Sequence, residues 1–357
     1  MQTNIDVMTK LSIIVPVYNV EKYIRPCFES IFRQGLDDND YEIIIVNDGT
    51  KDRSMEMIAD LISQHHNITV INQENQGVSV ARNNGIAKAK GKYIFMPDSD
   101  DLLIDNSLPI LLEKALKSKV DILVADFLES KSDDIEKLRN INQIKFEYIE
   151  KNGEELFLDD LNPYQCYVWR SLFRNEFIRN NKLSFVPGVY YQDVPFTHKA
   201  YIKSKKCIRT SWKITIYRRE RQGAATFSFS KKKARDLCIV ISETWNLTNI
   251  SGLSPATINK IKDDVFVSFS LFCSMLVQAL DLSDIRETLS FLKIVCPNLH
   301  FTNGFKQRLV SSLYNTMPFT YILLRQYYGR LFEDYLIPHF HHLKYNLLEL
   351  TTTRHTS

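Results

Sequence analysis

Apolar positions over residues 10–127 alternate between two periods. The stretches 11–17 (LSIIVPV) and 41–46 (YEIIIV) are short, continuous and bounded by polar residues, as strands buried on both faces are. Residues 68–71, 92–96 (KYIFM) and 121–127 (DILVADF) predict three more strands. Between them, residues 23–33 set Ile24, Cys27, Phe28, Ile31 and Phe32 at helical spacing, and 55–62, 77–90 and 108–117 predict further helices. Strand and helix in alternation predict an open, mainly parallel α/β sheet with helices on both faces. Ligands of such sheets bind beyond the C-terminal ends of the strands.

Past residue 230 the pattern turns helical throughout. Its longest uncharged runs, 265–280 and 309–324, fall short of the roughly 20 apolar residues that span a bilayer. The first carries Ser268, Ser270 and Ser274 and the second is broken by Pro318, so both predict buried helix. The opening MQTNIDVMTK has no apolar core of signal-peptide length, and the six cysteines are scattered without a C-x-x-C pair. A cytoplasmic protein is the expectation. Tyr, Phe, Leu, Arg and His mix over 321–348 as in interfacial helices, which adds the expectation of peripheral contact with the inner face of the membrane.

The net charge of +3 conceals a polarity along the chain. Residues 98–160 are strongly acidic, whereas 199–235 hold many Lys and Arg against the single acidic residue Glu220. One stretch suits a cation and the other a polyanion. No nucleic-acid module accompanies the basic residues, so a nucleotide diphosphate is the expected anion and no nucleic acid is expected as partner.

Four strand ends carry unusual residues: Pro16-Val17-Tyr18-Asn19, Asn47-Asp48-Gly49-Thr50, Asn75-Gln76-Gly77 running into Arg82-Asn83, and Asp98-Ser99-Asp100-Asp101. Neither G-x-G-x-x-G after the first strand nor G-x-x-x-x-G-K-[ST] is present, which disfavours dehydrogenases and P-loop enzymes. Asp98, Asp100 and Asp101 follow a strand directly. Three crowded carboxylates repel unless a hard divalent cation neutralises them, and oxygen ligands suit Mg²⁺ or Mn²⁺. The alternative is that Asp101 or Asp105 caps the helix around Leu108, but capping needs one aspartate, not three.

VPVYN at 15–19, VNDGTKD at 46–52, NQGVSVARNNG at 75–85 and DSDD at 98–101 together resemble the family 2 glycosyltransferases, inverting enzymes of the GT-A fold. The resemblance covers residues 10–226 and implies a nucleotide-sugar donor, usually a UDP-sugar, with a divalent metal. It implies donor-binding roles for Pro16 and for Tyr18, whose ring offers a face for uracil. It assigns Asp48 to the uracil N3–H, with Asn47 in place of the more usual aspartate, and Arg82 to the nucleotide. Asp98 matches the first member of the D-x-D signature, while Asp100 and Asp101 match its ribose and metal ligands; which of the three touches the metal stays open.

The segment 168–201 resembles the family stretch that ends in a Glu-Asp pair before an apolar helix. Here the pair is Gln192-Asp193, and Asp193 takes the position of the catalytic base that deprotonates the acceptor hydroxyl. The alternative role is the N-cap of a helix over 194–202. Residues 216–226 (IYRRERQGAAT) resemble the loop that folds over the donor diphosphate, which implies phosphate contacts from Arg218, Arg219, Arg221 and Thr226, with Ala224 where a serine is usual. The expected organisation is a donor-binding half over 1–105, an acceptor and base half over 106–229 and a helical domain over 230–357. The implied acceptor is a saccharide or lipid-linked saccharide of bacterial surface polysaccharide. A sugar nucleotidyltransferase is disfavoured by the missing G-x-G-x-R; a donor-binding scaffold without activity is the other alternative.

Overall fold

A computed structural model describes residues 9–131, 135–219 and 229–327. Arg221, Ala224 and Thr226 lie outside the described residues, as does most of the expected interfacial helix. In chain order the elements of the first 219 residues are β1 (Leu11–Val17), α1 (Ile24–Phe32), β2 (Tyr41–Asn47), α2 (Ala59–Gln64), β3 (Ile68–Asn72), α3 (Val78–Lys88), β4 (Tyr93–Phe95), β5 (Leu102–Leu103), α4 (Ser107–Ser118), β6 (Ile122–Ser130), β7 (Tyr148–Lys151), α5 (Gly153–Asp160), β8 (Ser171–Arg174), α6 (Asn175–Asn180), α7 (Asp193–Lys203) and β9 (Cys207–Arg218). The strands form one sheet in the order β3-β2-β1-β4-β8-β6-β9-β5, with β7 paired to β9.

The apolar runs become the strands for the reason their pattern suggests. Every residue of β1 is buried, and its partners β2 and β4 run parallel to it. Pro16 sits in this strand without breaking it: pairing with β4 ends at Ile13, so nothing on that side requires the missing N–H. The expected helix over 55–62 is instead a 3₁₀ turn, Glu56–Ile58, that runs into α2.

One feature departs from a simple parallel order. The strand expected over 121–127 does not join β4; β8 wedges between them, antiparallel to both. The wedge is held by polar bonds to its far end. Arg174 donates from its backbone N–H to the Asp121 carbonyl (2.8 Å) and from Nη2 to Asp121 Oδ1 (2.5 Å). Asn175 Nδ2 donates to the carbonyls of Ala89 and Gly91, at 3.1 and 2.9 Å. β9 then runs parallel to β6, and the two meet with an irregular register around Asp126.

Neither Asp101 nor Asp105 caps α4. The N-cap position is Asn106, without a side-chain bond, and the free N–H of Leu108 is taken by Gln34 Oε1 of the neighbouring chain segment at 2.9 Å. Asp105 pairs with Arg33 and Arg139 instead. Asp101 is thereby left to the acidic cluster.

Beyond β9 lie α8 (Lys231–Asn246), α9 (Pro255–Ala279), α10 (Leu282–Val295), α11 (Gly304–Thr316) and α12 (Pro318–Tyr327), with Pro318 opening a helix as its fixed φ favours. Contacts divide the chain into two compact units, Met1–Ser228 with Ile239–Val265, and Phe229–Cys238 with Phe266–Ser357. The second has its own aromatic core, in which Phe269 meets Phe301 and Tyr314 with ring centroids 5.2 and 5.0 Å apart. Among the described residues no helix is long and apolar enough to cross a membrane.

Within the first unit, α7 is anchored from beneath. His198 is fully buried; its Nδ1 donates to the Val194 carbonyl at 2.8 Å and its Nε2 meets Asp264 Oδ2 at 3.1 Å. Asp264, itself buried, also faces Lys260. Removing one member of such a contact leaves a buried polar group unsatisfied, a loss of about 1–3 kcal/mol. Asp264→Ala should therefore lower stability by about that amount, read as a fall in the urea midpoint. The double variant His198→Leu/Asp264→Leu should recover most of the loss; equal destabilisation by both would refute the coupling.

Candidate active site

The C-terminal ends of β1, β2 and β3 are knitted together by side chains bonding to backbone. Asn19, held at φ +52°, donates its N–H to Thr50 Oγ1 (2.8 Å), Val20 to Ser54 Oγ (2.9 Å) and Glu21 to Asp52 Oδ2 (2.9 Å). Tyr18 stands at the mouth of these loops, 40% exposed.

Asp48 is almost fully buried. Its Oδ1 accepts from Gln73 Nε2 and from the Gln76 N–H, both at 2.8 Å, and Oδ2 from the Gly77 N–H at 2.9 Å. The aspartate thus holds the loop before α3 shut against the end of β2. Gly49 makes this possible: it sits at φ +64°, and a Cβ there would lie 2.9 Å from the Asn75 nitrogen.

From α3, Arg82 reaches beneath the acidic turn. It is buried, and its Nη2 meets Asp98 Oδ1 at 2.6 Å. Its Nε and Nη1 are buried with no hydrogen-bond partner. A buried guanidinium with unused donors is costly unless an acceptor arrives.

Asp98, Asp100 and Asp101 each offer an oxygen within 4.8 Å of the others. A turn closed by the Asp101 N–H on the Asp98 carbonyl (3.2 Å) forces them together. Asp101 is buried; its Oδ1 accepts from the Arg218 N–H at 2.8 Å, while Oδ2 has no partner. Burial, then the charges of Asp100 and Asp98, push the Asp101 pKa well above the usual carboxylate range. An orphaned buried oxygen within a trio of hard ligands fits a divalent cation, and these three residues would hold it.

Arg218, at the end of β9, adds an Nε contact to the Asp100 carbonyl (3.3 Å) and lies over the ring of Tyr23. Arg219 turns to Glu129, Nη1 to Oε2 at 3.1 Å.

Asp193 is the first residue of α7, not its cap; the cap position is Gln192, without a side-chain bond. The residue before that, Tyr191, takes φ +61°, a strained value for an aromatic residue that turns the chain into the helix. Burial raises the Asp193 pKa, the charge of Arg82 pulls it down and that of Asp98 raises it again. Asp193 is therefore in electrostatic range of the cluster.

Asn83, which lies in the third strand-end motif, and Phe185, which no motif singles out, join these halves. Asn83 exchanges two bonds with Phe185, Nδ2 to its carbonyl and Oδ1 from its N–H, at 2.8 and 2.9 Å. The Phe185 ring lies under Arg82 and stacks on Phe196 of α7 with centroids 4.0 Å apart. A second group, Phe127, Tyr167, Trp169 and Tyr217, forms an aromatic cluster from β6, the turn before β8 and β9. Tyr167 and Trp169 meet because the chain there makes a 3₁₀ turn, Val168–Arg170, which no periodicity in the sequence announces.

Comparison with known proteins matches this region. Residues 12–180 fit the model of glycosyl transferase family 2. The chain is 35% identical over 216 residues to the uncharacterized glycosyltransferase EpsJ of Bacillus subtilis (strain 168), covering 58% of this chain and spanning 60% of that relative's length. It is 27% identical over 270 residues to glycosyltransferase GlyG of Streptococcus pneumoniae serotype 4, covering 71% of this chain and 87% of the relative. Among solved structures, S. aureus TarS 1-349 in complex with UDP-GlcNAc superposes with a TM-score of 0.72 at 18% identity, over 90% of this chain and 92% of that one. That likeness shows the fold, a GT-A sheet with helices after it. With the four strand-end motifs on this sheet, residues 12–180 of the chain form a glycosyl transferase family 2 domain.

Proposed function

We propose that the protein transfers a sugar from a nucleotide donor, a UDP-sugar, to a hydroxyl of a saccharide or lipid-linked saccharide, with inversion and with help from Mn²⁺ or Mg²⁺. Surface-polysaccharide assembly at the inner face of the cytoplasmic membrane is the setting this reading favours. The observation that carries it is the convergence of three acidic residues, a buried arginine with unused donors and Asp193.

In this reading Tyr18 stacks on uracil, Pro16 and Asp48 shape its pocket, and Arg82 donates Nε and Nη1 to the diphosphate. Arg218 joins it, with Arg219, Arg221 and Thr226 following in the same segment. A cation held by Asp98, Asp100 and Asp101 would neutralise charge on the leaving diphosphate. The acceptor oxygen attacks the anomeric carbon, the bond from that carbon to the phosphate oxygen breaks, and the electron pair leaves with UDP. Asp193 takes the hydroxyl proton as the new bond forms. A raised pKa suits a base, because a more basic carboxylate accepts the proton with a better driving force. The structure of TarS with UDP-GlcNAc supports the choice of donor by analogy of fold.

Two experiments test this. Asp101→Asn keeps the Oδ1 acceptor for Arg218 but removes a buried like charge. The metal-free variant should melt higher than wild type at pH 7.5, by about 2–4 °C for each kcal/mol of repulsion relieved. The sign follows from the raised pKa: the folded state binds the proton more tightly than the unfolded one, so the ionised residue destabilises at neutral pH, and the gap should close as the pH falls below the folded-state pKa. The same variant should lose the thermal shift that Mn²⁺ gives with UDP; an undiminished shift would remove Asp101 from the cation site.

Asp193→Asn should cut transfer by about 10²–10⁴ and leave UDP affinity within a few-fold of wild type. In wild type, kcat/KM should fall as the pH drops through the raised pKa of Asp193, and this acid limb should be missing from the residual activity of the variant. Substantial transfer by the variant with the acid limb intact would place the base elsewhere.

A further inference from the structure

The aromatic cluster bears on what the acceptor is. Tyr167 and Trp169 stack at 4.7 Å with planes 13° apart, and Tyr217 leans on both at 5.5 and 5.4 Å. Phe127 closes the group edge-on to Trp169 at 5.0 Å. Trp169 is buried and locked from behind, its carbonyl accepting from Thr215 Oγ1, whereas Tyr167, Tyr217 and Phe127 remain partly exposed. Among the described residues the two tyrosine hydroxyls have no hydrogen-bond partner, and they are not sealed from solvent. A core cluster would bury these rings and satisfy their hydroxyls.

Its position is equally specific. Tyr217 immediately precedes Arg218, whose N–H holds Asp101, and the charges of Asp101, Asp98 and Asp100 add to burial in raising the Tyr217 pKa. Tyr167 is pushed up to about 12 by burial, then by the charges of Glu129 and Asp193. Tyr217 is therefore in electrostatic range of the acidic cluster, and Tyr167 in that of Asp193. Beside them the ion pair of Glu129 and Arg219 supplies an acceptor and donors.

We propose that Tyr167 and Tyr217, backed by Trp169, form the acceptor subsite, and that the acceptor's reacting end is a ring sugar. A pyranose has an apolar face of axial C–H groups that packs on an aromatic plane, and equatorial hydroxyls that reach hydroxyl and charged partners around the plane. An open-chain polyol phosphate has no such face and would leave the rings wet.

The test uses saturation-transfer NMR on the whole chain with UDP and diamagnetic Mg²⁺ present, resting as it does on the sugar transfer proposed above. The probes are methyl β-glucopyranoside, methyl β-galactopyranoside and methyl 2-acetamido-2-deoxy-β-glucopyranoside, set against ribitol 5-phosphate. At least one pyranoside should show transfer to its ring C–H groups, and ribitol 5-phosphate none. Tyr167→Ala should weaken that pyranoside about tenfold or more, the scale of one lost aromatic stacking contact, and Tyr167→Phe should restore it. UDP titration of each variant reports folding, and affinity should stay within twofold of wild type. UDP binding with no pyranoside signal, a signal from ribitol 5-phosphate alone, or pyranoside binding that survives Tyr167→Ala would each overturn the subsite. Failure of the wild type to bind UDP would instead strike the donor reading.

Discussion

Three carboxylates held together at the end of a buried strand set the terms for everything around them. Asp98, Asp100 and Asp101 come within 4.8 Å of one another, and Asp101 does so out of water. Left alone, such a group would spread apart or take up protons. The fold prevents the first: a closed turn, the Arg218 N–H and the pairing of Arg82 with Asp98 keep the oxygens in place. Stability is given up locally to keep ligand-binding charge ready, a trade seen where sites are built before their ligand arrives.

The surrounding structure divides the work. The loops proposed to hold the nucleotide are braced by side chains bonded to backbone, with Asp48 and Asp52 each accepting several N–H or O–H groups. The proposed base sits on one helix, α7, whose register is set by the His198–Asp264 contact below and the Phe185–Phe196 stack beside it. Phe185 belongs to both sides, through Asn83 and through the face it turns to Arg82. The distance from Asp193 to the carboxylates is thus set by a few contacts that involve no reacting group. Substitutions at Asn83 or Phe185 would act on geometry rather than on chemistry.

Much of this was legible in the chain. Continuous apolar runs specified β1 and β2, and the polar residues ending them marked the candidate site. Both follow from local rules: period reports which faces are buried, and a strand's end is where its side chains leave the core. The family motifs added the fold and a donor to propose, and comparison with known proteins agrees with the fold. The capping alternative for Asp101 failed because Gln34, far away in sequence, reached the α4 terminus first.

Other features had no local signature. β8 is four residues long, SLFR, and becomes the wedge between β4 and β6 only through bonds to Asp121, Ala89 and Gly91. The burial of Asp101, the position of Asp193 one residue inside its helix and the meeting of Phe127, Tyr167, Trp169 and Tyr217 arise the same way. Periodicity and motif are properties of neighbours along the chain, so they settle element type and nominate candidate reactive groups. Which strands pair, which charges face each other and which rings share a surface are sums over contacts between distant segments, and only packing in three dimensions carries them out.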